Sequence, residues 1–247
     1  MSQQKLLSVK PKTIHARRLQ QLLLDYHDHR IRRAQHPLAQ EIDTLGKWQV
    51  QRLKNTHAHL YQNPRYREAL DFLLEDLYSP RQFMGRDADL ERIFPKMVKL
   101  LPDHTLGVVA NLVELNLLTQ KLDEHLTTVF KQRYPQEELT GANYADCFRA
   151  CGNLPSRKHQ LHLINITGLQ LEKYVKSRVL KYSLSLTEKP AKMAGLHRLH
   201  EFITKGFSAF LAMGGVSELL TQVMATENDL LERLVAGEPD PFAQPNI

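Results

Sequence analysis

Apolar residues recur at helical spacing along almost the whole chain, and this period constrains the fold more than any other feature. In residues 12–34, for example, Ala16, Leu19, Leu23 and Tyr26 fall on one face of a helix. No stretch of comparable length alternates apolar and polar residues as a half-buried strand does. The sequence therefore predicts an all-α fold, a single multi-helix bundle of about eight to nine helices with no sheet.

Start and stop signals divide this pattern into helices joined by short turns. Asn63 and Pro64 form one start signal, since Asn caps a helix and Pro suits its first turn. The predicted helices span about 12–34, 37–60, 64–78, 87–101, 104–133, 140–150, 155–183, 188–213 and 216–236. No linker is long enough to separate two domains. We therefore expect residues 1–236 to form a single helical domain, with 1–60 as a basic N-terminal helix pair packed on it and 237–247 as a flexible tail.

Positive charge is concentrated in the first quarter of the chain. Of 33 Lys+Arg and 27 Asp+Glu residues, 1–60 contain 11 and 4, which leaves 22 and 23 for the rest. A local surplus of this kind either faces an anionic partner, such as nucleic acid, an acidic protein or a membrane surface, or lies on solvated helix faces. The candidate patch for an anionic partner consists of Arg17, Arg18, Arg30, Arg32 and Arg33.

The familiar signatures of catalysis and cofactor binding do not occur in the sequence. There is no Gly-rich phosphate loop, no G-x-S-x-G nucleophile turn, and no Glu-x-x-His pair of the kind that holds dinuclear metal sites in helical bundles. The best-spaced metal trio is His197, His200 and Glu201, but LHRLHEF also fits an ordinary amphipathic helix. We therefore expect no cofactor and no metal, and we assign no catalytic residue.

The cysteines and the apolar stretches indicate where the chain resides. Cys147 and Cys151 lie four residues apart within ADCFRACG, a spacing that makes a poor disulfide framework and favours a reducing compartment. The first residues, MSQQKLLSVKPK, have no apolar core of signal-peptide length. The most apolar stretch, LGVVANLVELNLL, is too short and too polar to span a bilayer. These features predict a cytoplasmic protein without a membrane span.

Two polar residues interrupt the most apolar predicted helix. Asn111 and Glu114 share one face of residues 104–133, in otherwise aliphatic sequence. A buried polar group without a partner costs about 1–3 kcal/mol. Either these side chains pair with basic groups of neighbouring helices, or they line a small internal pocket. Asn111 and Glu114 are therefore the candidate pocket residues.

A cluster of acids and arginines follows the third predicted helix, in DFLLEDLYSPRQFMGRDADLER. Glu75 and Asp76 fall in the last turn of that helix, where negative charge opposes the helix dipole, so a tertiary cation, a metal or a ligand should compensate them. Arg81 and Arg86 are the nearest cations in sequence. Asp87 and Asp89 suit the cap and the first turn of the next helix. The cluster is either a joint between two helices or a site.

The same segment resembles a known family. FLLEDLY, at residues 72–78, is similar to the motif of an uncharacterised bacterial family named for its Phe-Phe-Leu-Glu-Glu-Leu-Tyr signature, with mild departures at Leu73 and Asp76. PRQFMGRDADLERIFPKM and PAKMAGLHRLHEFITKGFSAFLAMGG also look like parts of that family, so the resemblance covers about residues 64–236. It implies an all-helical bacterial protein and supplies no chemistry. If the motif marks a site, the matching positions are Glu75, Asp76, Tyr78, Arg81 and Asp87.

Three functions are consistent with these patterns. The leading hypothesis is a non-enzymatic binding or regulatory module for a macromolecular partner, either another protein or a second copy of the chain. The alternative is a ligand- or metal-binding bundle, with a hydrolase as its enzymatic form, whose site is the joint formed by Glu75, Asp76, Tyr78, Arg81, Arg86 and Asp87. A second alternative is nucleic-acid binding by the basic N-terminal helices.

Overall fold

The computed structural model describes the backbone of residues 2–77 and 80–243 and all their side chains except those of 2, 5, 76, 77, 80–88, 178–181 and 183. Its α-helices are α1 (Ser2–Leu7), α2 (Ile14–Ala34), α3 (Ala39–Thr56), α4 (Ala58–Gln62), α5 (Pro64–Asp71), α6 (Pro80–Leu100), α7 (Asp103–Arg133), α8 (Gly141–Ala150), α9 (Leu154–Val175), α10 (Arg178–Met193), α11 (His197–Met213) and α12 (Ser217–Ala236). A π-helical segment, Phe72–Leu77, follows α5. No described residue lies in a strand, which confirms the all-α prediction, and the helices are more numerous than the eight to nine predicted.

The N-terminal half of the pattern folds largely as expected. The predicted apolar face of α2 is buried, and Asn63 caps α5 by accepting a hydrogen bond from the backbone N–H of Arg65 at 3.0 Å. The predicted second helix is interrupted at His57, where α3 ends and the short helix α4 begins. A Tyr134–Leu139 turn then separates α7 from α8, which begins with a capping box formed by Thr140 and Asn143.

Two predicted boundaries near α10 are wrong. The helix predicted over 155–183 ends at Val175, and the helix predicted to begin near 188 begins at Arg178. A second break falls before α11, at Gly195, whose φ of 65° lies in the left-handed region that favours glycine. Pro190 lies inside α10.

The joint after the third predicted helix also differs from the prediction. The chain follows a π-helix over Phe72–Leu77, and α6 begins at Pro80, seven residues before the predicted start. Asp87 and Asp89 therefore lie inside a helix and do not cap one, which corrects the capping interpretation. Asp89 is buried and accepts a hydrogen bond from Arg92 at 2.9 Å, one turn further along α6.

Three groups of buried apolar residues form the interior. The first joins α1, α2, α6 and α7, with Leu19, Leu23, Phe94 and Leu106 among its fully buried side chains. The second joins α4, α5, the π-helical segment, α11 and α12, and the third joins α3, α7, α8 and α12. The most apolar predicted helix, α7, contributes to both the first and the third group, and it is therefore the central helix of these two groups.

The N-terminal helices and the described part of the predicted tail both pack on the rest of the chain. The ring of Trp48 on α3 stacks on Tyr144 of α8 at a centroid distance of 4.6 Å. Phe242 lies edge-on to both rings, at 5.7 Å from each. A side chain at Gly141 would approach Phe242 to 3.1 Å, so this glycine leaves the space that the Phe242 ring occupies. Phe242 is thus held against α3 and α8, whereas residues 237–240 are exposed.

In the described part of the chain, no single helix has the length and apolar character needed to cross a membrane. The helices α11 and α12 meet that test only when they are taken together, and they are bent by 96° relative to each other.

Candidate functional site

The acidic joint is only partly within the described side chains. Glu75 is about half exposed and pairs with Lys54 of α3, whose Nζ lies 3.0 Å from its Oε1. The tertiary cation expected for this acid is therefore a lysine. Phe72 and Leu74, two of the seven motif residues, are buried, so these two positions have a packing role. The side chains of Asp76, Tyr78, Arg81, Arg86 and Asp87 lie outside the described residues, and the site interpretation stays a prediction.

Asn111 and Glu114, the candidate pocket residues, pair with groups from two other helices. Arg18 of α2 donates to Asn111 Oδ1 at 2.7 Å and to a Glu114 carboxylate oxygen. His159 of α9 hydrogen-bonds to the other oxygen of Glu114 at 2.8 Å, and Asn111 donates to Gln170 at 3.0 Å. Burial acts to raise the pKa of Glu114, but the hydrogen bonds from His159 and Arg18 outweigh it and lower this pKa below its ordinary value. Of the two expected arrangements, pairing with basic neighbours is the one observed.

Most of the candidate anionic-partner patch faces acids of the chain itself. Besides Arg18, Arg30 pairs with the fully buried Glu91 at 3.2 Å, and Arg33 pairs with Asp43 at 3.0 Å. Arg17 and Arg32 are exposed, and Arg17 donates to the backbone oxygen of Lys12 at 3.1 Å. A continuous basic surface would need all five side chains, so the described geometry leaves two of them for an external anion.

Neither the histidines nor the cysteines form a reactive group. No three His, Cys, Asp or Glu side chains among the described residues lie close enough to hold a metal ion. In the candidate trio, His200 Nε2 lies 2.9 Å from the Leu184 carbonyl oxygen, to which it donates, so this nitrogen has no lone pair for a metal. Cys147 and Cys151 are free thiols, and burial raises the pKa of Cys147 to about 11. Such a thiol stays protonated and is a poor nucleophile.

A buried ionic cluster that the sequence patterns did not indicate joins α3 to α12. Arg52 Nη1 donates to Glu227 Oε1 at 2.5 Å, and His57 Nε2 lies 2.9 Å from the same oxygen. Burial acts to raise the pKa of Glu227, but the charge of Arg52 and the hydrogen bond from His57 bring this pKa down to about 2. The cluster borders a partly open cavity between α3, α8, α9 and α12. Glu227 lies 175 residues from Arg52 and 170 residues from His57 in sequence, so no local motif marks the cluster.

Among the described side chains, α10 carries three strongly exposed apolar residues. Tyr182, Leu186 and Met193 are 70%, 78% and 90% exposed. At about 100° per residue these three positions fall within an arc of about 40° on one side of the helix. The opposite side of α10 packs on α11, where His200 reaches Leu184. The stripe is evident only when residues 178–193 form one helix. The predicted boundaries at 183 and 188 divided these residues between two helices, so the sequence analysis did not identify the stripe.

Comparisons with known proteins identify a family and assign no activity. A search of curated proteins and a search of solved structures each found no match. The family match does not address the resemblance to the Phe-Phe-Leu-Glu-Glu-Leu-Tyr proteins, which stays a prediction. The chain belongs to the family described as "Domain of unknown function (DUF8198)", which matches residues 28–241.

Proposed function

We propose that this chain is a single helical domain that acts as a non-enzymatic binding module and engages another protein through the exposed stripe of α10. The observation that carries the proposal is the exposure of Tyr182, Leu186 and Met193 on one side of that helix. Contiguous exposed apolar groups are rare on monomeric proteins and mark interaction surfaces.

The geometry of the stripe favours a helical partner. Tyr182 and Met193 are eleven residues apart, which corresponds to about 16 Å along the helix axis. The three apolar positions follow the spacing i, i+4 and i+11, which places them along about three turns of one helix face, as in the apolar anchors through which amphipathic helices pack on each other. Lys189 is exposed and lies about 20° from the edge of this arc, so an acidic residue on the partner would complement it.

A photo-crosslinker placed in the stripe tests this proposal. We would introduce p-benzoylphenylalanine in place of Leu186, and as a matched control in place of Leu100 on α6, which is 77% exposed against 78% for Leu186. Irradiation in the native host should give a discrete protein adduct from position 186 and none from position 100. The adduct should disappear when Tyr182→Ser and Met193→Ser are added. Equal labelling from both positions, or no adduct at 186, would rule out the stripe as a docking surface.

The mass of the adduct separates the partner classes. A species of twice the chain mass would identify a second copy of this chain as the partner, and a larger heterogeneous adduct that is lost on nuclease treatment would support nucleic-acid binding. The described pairing of Arg18, Arg30 and Arg33 gives the nucleic-acid alternative less support than the sequence did. That alternative further predicts affinity that falls steeply with salt.

The ligand- or metal-binding alternative at the acidic joint rests on the sequence cluster alone. Metal analysis of the purified protein, with Glu75→Ala as the variant, tests it. A metal content that this substitution leaves unchanged would remove Glu75 from any such site.

We also propose a cytoplasmic location in a bacterium, supported by the two free cysteines and by the family resemblance.

A further inference from the structure

The cavity between α3, α8, α9 and α12 contains a buried positive charge without a matching acid. Its volume is about 160 Å³, and most of its wall is aliphatic or aromatic. The ionisable groups with an expected charge in that wall are Arg52, Arg157 and Glu227. Arg52 is paired with Glu227, as described above. No other acid among the described residues lines the cavity, so Arg157 has no carboxylate partner in the cavity wall.

Arg157 is nine-tenths buried and poorly satisfied. Only 8% of the residue is exposed, and its guanidinium lies over the ring of Phe148 at 5.2 Å. Within the described part of the chain, its one hydrogen bond is donated to Gln160 Oε1 at 3.3 Å, and no carboxylate pairs with it. A guanidinium has five N–H donors, so most of those of Arg157 remain for a group inside the cavity. A buried charge without a counter-charge is strongly unfavourable, which an anion at this position would relieve.

Tyr144 adds a second donor to the same cavity. Its ring lines the cavity wall and is buried, and no described residue forms a hydrogen bond with its hydroxyl. Burial raises the pKa of Tyr144, so the hydroxyl keeps its proton and can donate. A hydroxyl donor and a guanidinium that face one cavity suit the two oxygens of a carboxylate.

Charge and size restrict the ligand further. The lining side chains Arg52, Arg157 and Glu227 carry a net charge of +1, and the neighbouring Asp123 brings the sum for the cavity and its surroundings to zero, so Arg157 can pair with one negative charge and a second is disfavoured. Asp123, held at 2.7 Å by the Gln49 amide beside the cavity, adds negative charge that would repel a dianion such as phosphate. The cavity volume is close to that of an engineered apolar cavity of about 150 Å³ that accommodates benzene. One ring or one short branched chain therefore fills it.

We propose that this cavity binds a small monocarboxylic acid with an apolar body about the size of one ring, whose carboxylate pairs with Arg157 and accepts a hydrogen bond from the Tyr144 hydroxyl. The aliphatic and aromatic wall packs against the apolar body. The site is separate from the stripe on α10, so the crosslinking experiment and the ligand experiment can succeed or fail independently.

Binding of benzoate and 4-methylpentanoate to the intact chain, measured by calorimetry and by thermal unfolding, tests the proposal. Benzamide serves as the uncharged analogue of benzoate. At least one of the two acids should bind and raise the melting temperature, and for benzoate the neutral analogue should bind at least about tenfold more weakly, because a charged hydrogen bond is lost. Failure of both acids, or equal binding of benzoate and benzamide, would overturn the proposal.

Three variants separate a ligand-binding role for Arg157 from a structural one. Arg157→Met should weaken binding of the acid by about tenfold or more and raise the melting temperature of the unliganded chain, since it removes an unpaired buried charge. Lys158→Met, the matched control, removes one positive charge from the adjacent exposed position of α9 and should change neither quantity. Tyr144→Phe keeps the ring and should weaken binding several-fold. A loss of unliganded stability in Arg157→Met with unchanged affinity in Tyr144→Phe would show that Arg157 is a structural residue.

Discussion

At the scale of single residues, Gly206 shows how closely α11 approaches the π-helical segment. A Cβ at this position would lie 2.5 Å from Phe72 Cζ. The Phe72 ring cannot move aside, because Phe202 and Phe210 flank it at centroid distances of 5.1 and 5.9 Å. The motif segment and the glycine of KGF, 134 positions later in the sequence, thus depend on each other.

We expect Gly206→Ala to destabilise the fold. Alanine in a helix normally gains about 1 kcal/mol over glycine, but the clash with Phe72 should reverse that sign and cost about 1–3 kcal/mol. Urea unfolding measures the difference, and Ser208→Ala, an exposed position on the same helix, is the control and should stay within about 0.5 kcal/mol of the parent. A stabilised Gly206→Ala variant would mean that the two helices lie further apart than described.

The Glu227 carboxyl sets the acid dependence of stability. Its pKa of about 2 lies below the ordinary value of 4.5, so the stabilisation that it contributes is complete above pH 4.5 and is lost as the pH falls from 4.5 to 2. A shift of this size corresponds to about 3 kcal/mol. The free energy of unfolding of the parent should therefore fall over this window by about that amount more than that of Glu227→Gln. Parallel curves for the two proteins would show that Glu227 titrates normally.

At the scale of elements, the acids of later helices hold the N-terminal helices in place. Glu91 of α6 is fully buried and lies 3.1 Å from His27 and 3.2 Å from Arg30, both on α2. Glu124 of α7 similarly pairs with His29, at 3.0 Å. Several of the Lys and Arg residues of 1–60 pair with acids from later helices, namely Arg18, Arg30, Arg52 and Lys54, so part of the local positive surplus is balanced within the chain.

Removing one member of the α2–α6 cluster should therefore be costly. Glu91→Gln leaves Arg30 without its counter-charge and should lower the free energy of unfolding by about 3 kcal/mol. Glu232→Gln, on the exposed side of α12, is the control and should have little effect. Adding Arg30→Gln to Glu91→Gln should recover part of the loss, since no unpaired charge then remains. If the double variant is no more stable than Glu91→Gln, the cost comes from packing and not from charge.

The sequence predicted helix boundaries best where the apolar pattern of the helix itself marks both ends. The continuous apolar character of α7 and the single apolar face of α2 are local properties, so the boundaries of both helices agree with the prediction to within two residues. The break at Lys176 and Ser177 has no such signal, because apolar spacing continues across it and neither Gly nor Pro is present. Tertiary packing sets that boundary. Because α10 packs on α11 with one side only, its other side, which carries the stripe, stays exposed.

The candidate sites divide in the same way. Asn111 and Glu114 were identifiable because polar residues are conspicuous in an aliphatic helix, although their partner Arg18 lies 93 residues from Asn111. Arg157 was not identifiable, since an arginine near the start of an amphipathic helix has the pattern of a surface residue. Its burial depends on α8 and α12, which pack around it only in the folded chain.

At the scale of the whole molecule, the N-terminal helices are part of the interior. Leu19 and Leu23 of α2 are buried in the same group as Leu106 of α7, and Leu45 of α3 is buried with Leu126 of α7. Removing residues 1–60 would therefore expose the central helix and leave several buried acids without cations. Deleting residues 1–60 therefore tests whether the chain still folds. Loss of a partner after this deletion would not show that a basic docking surface had been removed, because the remaining fold is damaged as well.

We predict that residues 61–247 alone do not unfold cooperatively, whereas the whole chain does. Circular dichroism during urea unfolding should give a single sigmoidal transition for the whole chain and a broad, shallow one for the fragment, because the fragment lacks the side chains that cover α7. Arg17→Gln with Arg32→Gln is the matched control: it removes exposed positive charge from α2 without touching the interior, and its transition should coincide with that of the parent. A cooperative transition of residues 61–247 would mean instead that the N-terminal helices form a separate unit, and the uneven charge would then again favour an external anionic partner.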